Sequence, residues 1–206
     1  DRKKCEFIRT VQSPTNQLIE GSYKPDDSDN THTTLNHYEQ LLRTLTAILI
    51  RRKTQLLPTQ ATIFTTNYDL FIEKASENVK SARLNDGFNR VPRLNNRFEF
   101  SPQNLFETTF VSGNLYDYKV EIPAINLVKL HGSLSWRRDK EDIICSFDQT
   151  DDFLNTPPSE QDMKKYLEQF AVVLPQMGKF EETVMNRIYY DLLRIYSNQL
   201  DKKNCL

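Results

Sequence analysis

The stretch 61–70 (ATIFTTNYDL) limits the possible folds of this chain more than any other. A short apolar, β-branched run over 63–65 stops abruptly at a polar segment that contains Asn67 and Asp69, and a helical pattern follows over 70–75. A buried parallel strand that ends in a polar tip and feeds a helix has this pattern. Ligands bind at the carboxyl ends of strands in open α/β sheets, so an amide and a carboxylate two residues apart are well placed for chemistry.

The same two residues have a structural interpretation that stays open at this point. Asn and Asp are common at helix N-termini, because their side chains accept hydrogen bonds from backbone N–H groups. Asn67 and Asp69 are therefore either the cap of the following helix or part of a site, and the stretch alone favours the cap.

The segment before this stretch predicts a helix and a turn. Its apolar side chains recur at helical spacing from residue 35, and the basic run 51–53 suits a helix C-terminus. The predicted apolar face consists of Leu35, Tyr38, Leu41, Leu42, Leu45, Ile48 and Leu49. Pro58 then marks the turn into the strand. Helix, turn, strand and helix in this order predict an α/β fold with a Rossmann-like parallel sheet, flanking helices and an inserted small lobe.

A second polar strand tip follows, with His131 64 residues after Asn67. The apolar run 127–130 predicts a short strand, and His131-Gly132-Ser133 stands at its carboxyl end. A lone His before Gly is more often structural than functional. Two polar tips in one parallel sheet converge on one cleft, however, and this convergence favours a site.

The remaining segments predict one domain with two interruptions. We expect the Rossmann-like core in 35–77, 124–136 and 166–206, with a third strand over 171–174 and a helix from Phe180 whose apolar face is Phe180, Val184, Ile188, Leu192, Ile195 and Leu200. We expect 78–123 and 137–165 to form the inserted lobe and surface segments, and the polar stretch 21–34 to be a loop. Both ends of the sequence look cut, so we interpret residues 1–206 as the central part of one domain.

Charge and cysteine usage exclude several classes of protein. A formal charge of −1 and a pI near 6.4 give no reason to expect direct binding to nucleic acid or to an anionic membrane. No apolar run approaches the roughly 20 residues of a membrane span. Three cysteines without a C-x-x-C pair argue against a disulfide framework and a structural zinc site, so we expect no metal and a cytoplasmic location.

Two motifs make a family resemblance visible. T-T-N-Y-D at 65–69 and L-H-G-S-L-x-W at 130–136 resemble the strand tip and the His-Gly of sirtuin-like NAD-consuming domains, in the form found in bacterial anti-phage defence effectors. The N-D-G-F turn at 85–88 and the L-P-Q exit at 174–176 are also similar to that branch. The resemblance covers roughly residues 61–200.

The resemblance implies an activity and a set of site residues. It implies an NAD⁺ hydrolase with NAD⁺ as substrate, in which Asn67 and His131 are catalytic. It further implies that NAD⁺ is bound by residues of both tips, namely Thr65, Thr66, Asn67, Asp69, Gly132 and Ser133. Asn67 would orient the ribose or the attacking water, and an imidazole such as that of His131 titrates in the range that a base needs near neutral pH. Thr66 stands where sirtuins have Gln.

The family's G-A-G-x-S loop, which holds the NAD phosphates, is missing from these residues, and we expect it upstream of Asp1. The four-cysteine zinc module of classical sirtuins is missing too, which favours hydrolysis of NAD⁺ over protein deacylation. A binding module that holds NAD⁺ or ADP-ribose without turnover is the alternative. The resemblance also implies a homo-oligomer that acts in abortive infection and is switched by a HerA-type ATPase, an Argonaute-like protein or another sensor subunit.

Overall fold

The computed structural model describes residues 2–22, 30–52, 57–89, 98–112, 119–139, 142–147, 159–174 and 186–202. The helices are α1 (Arg2–Glu20), α2 (Asn30–Arg51), α3 (Phe71–Asn78), α4 (Glu160–Gln169) and α5 (Arg187–Leu200), with a short 3-10 helix at Pro102–Asn104. The strands are β1 (Gln60–Thr65), β2 (Arg83–Asn85), β3 (Phe98–Glu99), β4 (Phe110–Ser112), β5 (Lys119–Glu121), β6 (Ala124–Lys129), β7 (Gly132–Asp139), β8 (Asp142–Cys145) and β9 (Phe170–Val172).

A three-stranded parallel sheet carries both predicted polar tips. Its order is β1-β6-β2, and both pairs run parallel, with Thr65 opposite Lys129 at the carboxyl ends of β1 and β6. All six residues of the central strand β6 are buried, including the polar Asn126 and Lys129, whereas the edge strand β1, predicted to be buried, is only partly buried. The α/β fold class with a parallel sheet flanked by helices is confirmed.

Helices cover both faces of this sheet. Ile125 and Leu127 of β6 pack with side chains of α1, α2 and α3, whereas the neighbouring Val128 packs with α5 and the second sheet. The two faces alternate because successive side chains of a strand point in opposite directions.

The apolar stripe of α2 is narrower than its sequence predicts. Leu35, Leu42 and Leu49 are fully buried, whereas Leu41 and Ile48 are 43% and 54% exposed. The helix also begins at Asn30, so the loop expected over 21–34 is wrong for its last five residues.

A second, antiparallel sheet of order β3-β8-β7-β9 adjoins the first. It corrects two expectations. The apolar run at 171–174 does form a strand, but β9 pairs antiparallel with β7 and does not join the parallel sheet. The segment 137–165, expected at the surface, supplies the end of β7 and all of β8, whose Ile143 and Cys145 are buried.

Two further expectations are modified. The segment 78–123, expected as an inserted lobe, contributes β2 to the parallel sheet. The predicted helix from Phe180 is described from Arg187 onward; Phe180 and Val184 lie outside the described residues. Leu192 is buried as predicted, but Leu200 is half exposed. The domain division into core and lobe segments stays a prediction.

Candidate active site

The two predicted polar tips are neighbours at one edge of the parallel sheet. The N–H of Leu130 donates to the carbonyl of Thr65 at 2.9 Å, just beyond the paired ends of β1 and β6. Asn67 follows Thr65 by two residues, and His131 follows Leu130 directly. The structure therefore brings both tips to the carboxyl edge, where α/β sheets bind ligands.

The first tip presents its polar groups outward. Thr66 and Asn67 are exposed, whereas Thr65 is partly buried and its Oγ1 accepts a hydrogen bond of 3.0 Å from the N–H of Asn67. This local hydrogen bond holds the backbone of Asn67 close to the end of β1.

Helix α2 also reaches the first tip, through Tyr38. The phenol of Tyr38 lies close enough to the Asn67 side chain to interact with it. Burial raises the pKa of Tyr38, the nearby Asp69 carboxylate adds to this rise, and the Asn67 side chain opposes it. Tyr38 was predicted only as part of the apolar face of α2, and its place at the site is new.

Asp69 lies one position before the N-cap residue of α3 and contacts the start of that helix. Its Oδ1 accepts a hydrogen bond of 3.1 Å from the N–H of Phe71, the first residue of α3. The N-cap residue of α3 is Leu70, so neither Asp69 nor Asn67 is the cap, although the Asp69 carboxylate does accept from the first N–H of the helix.

The second tip places His131 between the two sheets. Its ring is partly exposed and stacks on the ring of Tyr68, with centroids 6.4 Å apart. The Tyr68 hydroxyl donates to the carbonyl of Val173 at 2.6 Å, and the N–H of Val173 donates to the carbonyl of His131 at 2.9 Å. Tyr68 contacts the side chain of His131, and Val173, which is bonded to Tyr68, contacts its backbone.

Gly132 is required by close packing. It has a φ of +81°, and a Cβ at this position would lie 2.0 Å from the carbonyl oxygen of Ala171. Only glycine combines this backbone conformation with so close an approach. The structure buries Gly132 against β9, and the expected contact of Gly132 with NAD⁺ stays a prediction.

Ser133 is also buried, without any exposed surface. Its hydroxyl accepts a hydrogen bond from Lys129 Nζ at 3.1 Å and donates to the carbonyl of Tyr68 at 3.3 Å. Like Gly132, it lies behind the exposed tips among protein atoms. The contacts of both residues favour a supporting role, and direct contact of Gly132 and Ser133 with NAD⁺ stays a prediction.

The sequence analysis did not identify the buried ion pair beneath the tips. Lys129 Nζ lies 2.7 Å from Glu73 Oε1, and the two side chains are 3% and 14% exposed. Burial raises the pKa of Glu73 more than the Lys129 ammonium lowers it, and Asp86 adds to the rise. The sequence signal for this ion pair was Lys129, the single charged residue in the otherwise apolar run 127–130.

The exposed groups at the tips suit the sugar part of a nucleotide. The amide of Asn67 can both donate and accept hydrogen bonds, the hydroxyl of Thr66 does the same, and the imidazole of His131 supplies a titratable nitrogen. In the part of the chain that the structure describes, no group of three or more His, Cys, Asp or Glu side chains is arranged to hold a metal ion. None of the described helices combines the length and hydropathy needed to cross a bilayer.

A parallel sheet with hydrogen-bonding side chains at its carboxyl edge defines a class of nucleotide-binding α/β domains. Comparison with known families narrows this class, because the family model described as SIR2-like domain matches residues 61–187. The chain belongs to the SIR2-like domain family. The match includes both polar tips, and it indicates an NAD-related function, since the family includes NAD-dependent enzymes. No curated protein matches the chain.

Proposed function

We propose that this protein is an NAD⁺ hydrolase that cleaves the bond between nicotinamide and ribose. One observation carries the proposal: an exposed Asn67 and a partly exposed His131 follow adjacent strands at the carboxyl edge of a SIR2-like domain. An amide and an imidazole at such an edge supply orientation and base catalysis without a metal ion.

The residues present suit the chemistry of this bond. NAD⁺ brings a nicotinamide that is already cationic and leaves as a neutral molecule, so the site needs no pair of carboxylic acids of the glycosidase kind. The amide of Asn67 orients a ribose hydroxyl or the attacking water. The imidazole of His131 accepts the proton that this water loses.

The other residues of the first tip have subordinate roles in this proposal. Thr66 is exposed and contacts NAD⁺ through its hydroxyl. The threonine side chain is shorter than the glutamine side chain that sirtuins have at this position. Thr65 and Asp69 take part in NAD⁺ binding by shaping the tip, since the Thr65 hydroxyl holds the Asn67 backbone and the Asp69 carboxylate holds the start of α3.

We further propose that NAD⁺ depletion serves a cytoplasmic bacterial anti-phage defence system that acts by abortive infection. The T-T-N-Y-D and L-H-G-S-L-x-W motifs support this role, because they are similar to those of defence effectors. Such effectors form homo-oligomers and are switched by a HerA-type ATPase, an Argonaute-like protein or another sensor subunit. These partners belong to the same proposal.

Replacing each catalytic residue tests the activity. In the full-length protein we expect Asn67→Ala and His131→Ala each to slow NAD⁺ loss by about 10²–10⁴-fold with an unchanged fold, because each removes a positioning or proton-accepting group. The matched controls are Asn198→Ala and His37→Ala, which alter exposed helix residues, and both should keep the native rate. Native rates in both tip variants would disprove the assignment.

The same assay separates the alternatives. Calorimetric binding of NAD⁺ or ADP-ribose without nicotinamide release, in every condition tested, would indicate a regulatory binding module. NAD⁺ consumption that depends strictly on an acyl-lysine peptide would indicate a protein deacylase.

A further inference from the structure

The ammonium group of Lys129 has three acceptors around it, as many as it has N–H bonds. It forms the ion pair with Glu73, donates to the backbone carbonyl of Asp69, and donates to Ser133 Oγ at 3.1 Å. Lys129 is 3% exposed, so protein atoms supply these contacts in place of water.

The three acceptors belong to different parts of the site. Asp69 ends the first tip, two residues after Asn67, and Ser133 follows His131-Gly132 in the second tip. Glu73 lies in the first turn of α3 and is held by the helix. One buried cation is therefore bonded to both tips and to a rigid element.

Further hydrogen bonds close the connection between the tips. Ser133 Oγ donates to the carbonyl of Tyr68, and the N–H of Leu134 donates to the same carbonyl at 2.9 Å. Ser135 Oγ lies 3.2 Å from Ser133 Oγ. The backbone that follows Asn67 is thus linked to the backbone that follows His131, with Lys129 bonded to both.

Stability alone is a weak reason for this arrangement. Replacing a buried ion pair by apolar side chains of similar volume is often neutral or stabilising. An apolar pair would fill the same space, but it would not hold the carbonyl of Asp69 or the hydroxyl of Ser133.

We propose that Lys129 is a positioning residue, whose ammonium group sets the separation of the Asn67 and His131 tips. The consequence for catalysis rests on the proposed function, whereas the consequence for the order of the tips does not. Misplacing a reacting group by about 1 Å costs about 100-fold in rate, so loss of this connection affects turnover more than substrate affinity.

The test uses the double substitution Lys129→Met with Glu73→Leu in the full-length protein, because it leaves no buried charge unpaired. We expect kcat for NAD⁺ cleavage to fall about 100-fold while KM changes far less. Amide hydrogen exchange at Leu130 and Leu134 should become faster, since their bonds to Thr65 and Tyr68 join the tips.

Thr46→Val is the matched control, because Thr46 is equally buried but bonds only within α2. It should change neither kcat nor the two exchange rates. Ser133→Ala provides a milder second variant that removes one of the three contacts. It should give a smaller fall in kcat and faster exchange at Leu134.

The outcomes separate the inference from the proposed function. Native kcat and native exchange rates in the folded double variant, or in Ser133→Ala if the double variant does not fold, would overturn the role of Lys129. If the unmodified protein cleaves no NAD⁺, the proposed function fails, and the exchange rates alone decide whether Lys129 fixes the tips.

Discussion

The ring of Tyr68 stacks on the ring of His131, with centroids 6.4 Å apart and planes inclined by 29°. The two residues come from different strand tips, 63 positions apart in the sequence, since Tyr68 lies between Asn67 and Asp69. Tyr68 also donates its hydroxyl hydrogen bond to Val173, which in turn bonds the backbone of His131. Tyr68, the sequence neighbour of the proposed catalytic residue Asn67, therefore holds the other proposed catalytic residue, His131.

This contact predicts different effects for two substitutions of Tyr68. Tyr68→Phe keeps the ring against His131 but leaves the Val173 carbonyl without its donor, so it should lower the free energy of unfolding by about 1–3 kcal/mol. Tyr68→Leu also removes the ring, so it should reduce NAD⁺ cleavage further. Urea unfolding and NAD⁺ assays on both variants give the comparison. Equal loss of activity in the two would show that the ring does not support His131.

Gly132→Ala should strongly destabilise the fold, and Gly21→Ala is its matched control. Both glycines have a positive φ, but a Cβ at Gly21 meets nothing within 4 Å, whereas one at Gly132 meets the Ala171 carbonyl oxygen at 2.0 Å. We expect a loss of about 1 kcal/mol for Gly21→Ala from backbone strain alone. The loss for Gly132→Ala should be on the order of 4 kcal/mol or more, because packed backbone must move. Thermal unfolding of the two variants measures this difference, and similar values would contradict the close packing.

Glu73 predicts a pH dependence of stability with a definite sign. Its pKa is raised above the ordinary value of 4.5, mainly because the carboxyl group is buried. Its Oε2 is buried too and has no hydrogen-bond partner among the described residues. As the pH rises between the unfolded and the folded pKa, the unfolded chain loses this proton first, so the folded state becomes less stable.

The variant Glu73→Gln cannot titrate at this position and therefore isolates the effect. The free energy of unfolding of the native protein minus that of the variant should fall as the pH rises above the ordinary value of 4.5, and should level off beyond the folded pKa. Urea unfolding at a series of pH values measures this difference. A difference that grows with pH would mean that Lys129 lowers the pKa of Glu73 more than burial raises it.

Tyr38→Phe should weaken catalysis without affecting the fold. The substitution removes the hydroxyl that interacts with the Asn67 side chain, while the ring keeps its stacking on Phe71 at 5.9 Å. We expect NAD⁺ cleavage to fall about 5-fold, the equivalent of one neutral hydrogen bond of about 1 kcal/mol. Tyr190→Phe, at a tyrosine of α5 that is 47% exposed, is the control and should keep the native rate. Equal rates for both variants would mean that Tyr38 does not orient Asn67.

The elements that carry the tips could be predicted because their signals are local. The apolar runs that became β1 and β6, and the polar residues that end them, are continuous in the sequence. The same is true of Asp69, which bonds a backbone N–H two residues away.

The placement of β9, the burial of Ser133 and the ion pair of Lys129 could not be predicted, because they depend on residues far away in the sequence. An apolar run such as 171–174 has the same pattern in a parallel and in an antiparallel sheet, so only its pairing with β7 decides where it belongs. Ser133 follows His131-Gly132 and resembles a loop residue until β9 and the Tyr68 carbonyl bury it. Lys129 forms its ion pair with Glu73, which lies 56 positions earlier in the sequence, and no local pattern specifies this pairing.

Only Leu130 and His131 separate β6 from β7. Strand β6 is central in the parallel sheet, and strand β7 is paired on both sides in the antiparallel sheet. A connection of two residues between strands that are each fixed by two neighbours leaves the histidine almost no freedom of its own. The angle between the two sheets therefore sets the position of the His131 backbone, and a change of this angle moves the proposed base without any contact with the substrate.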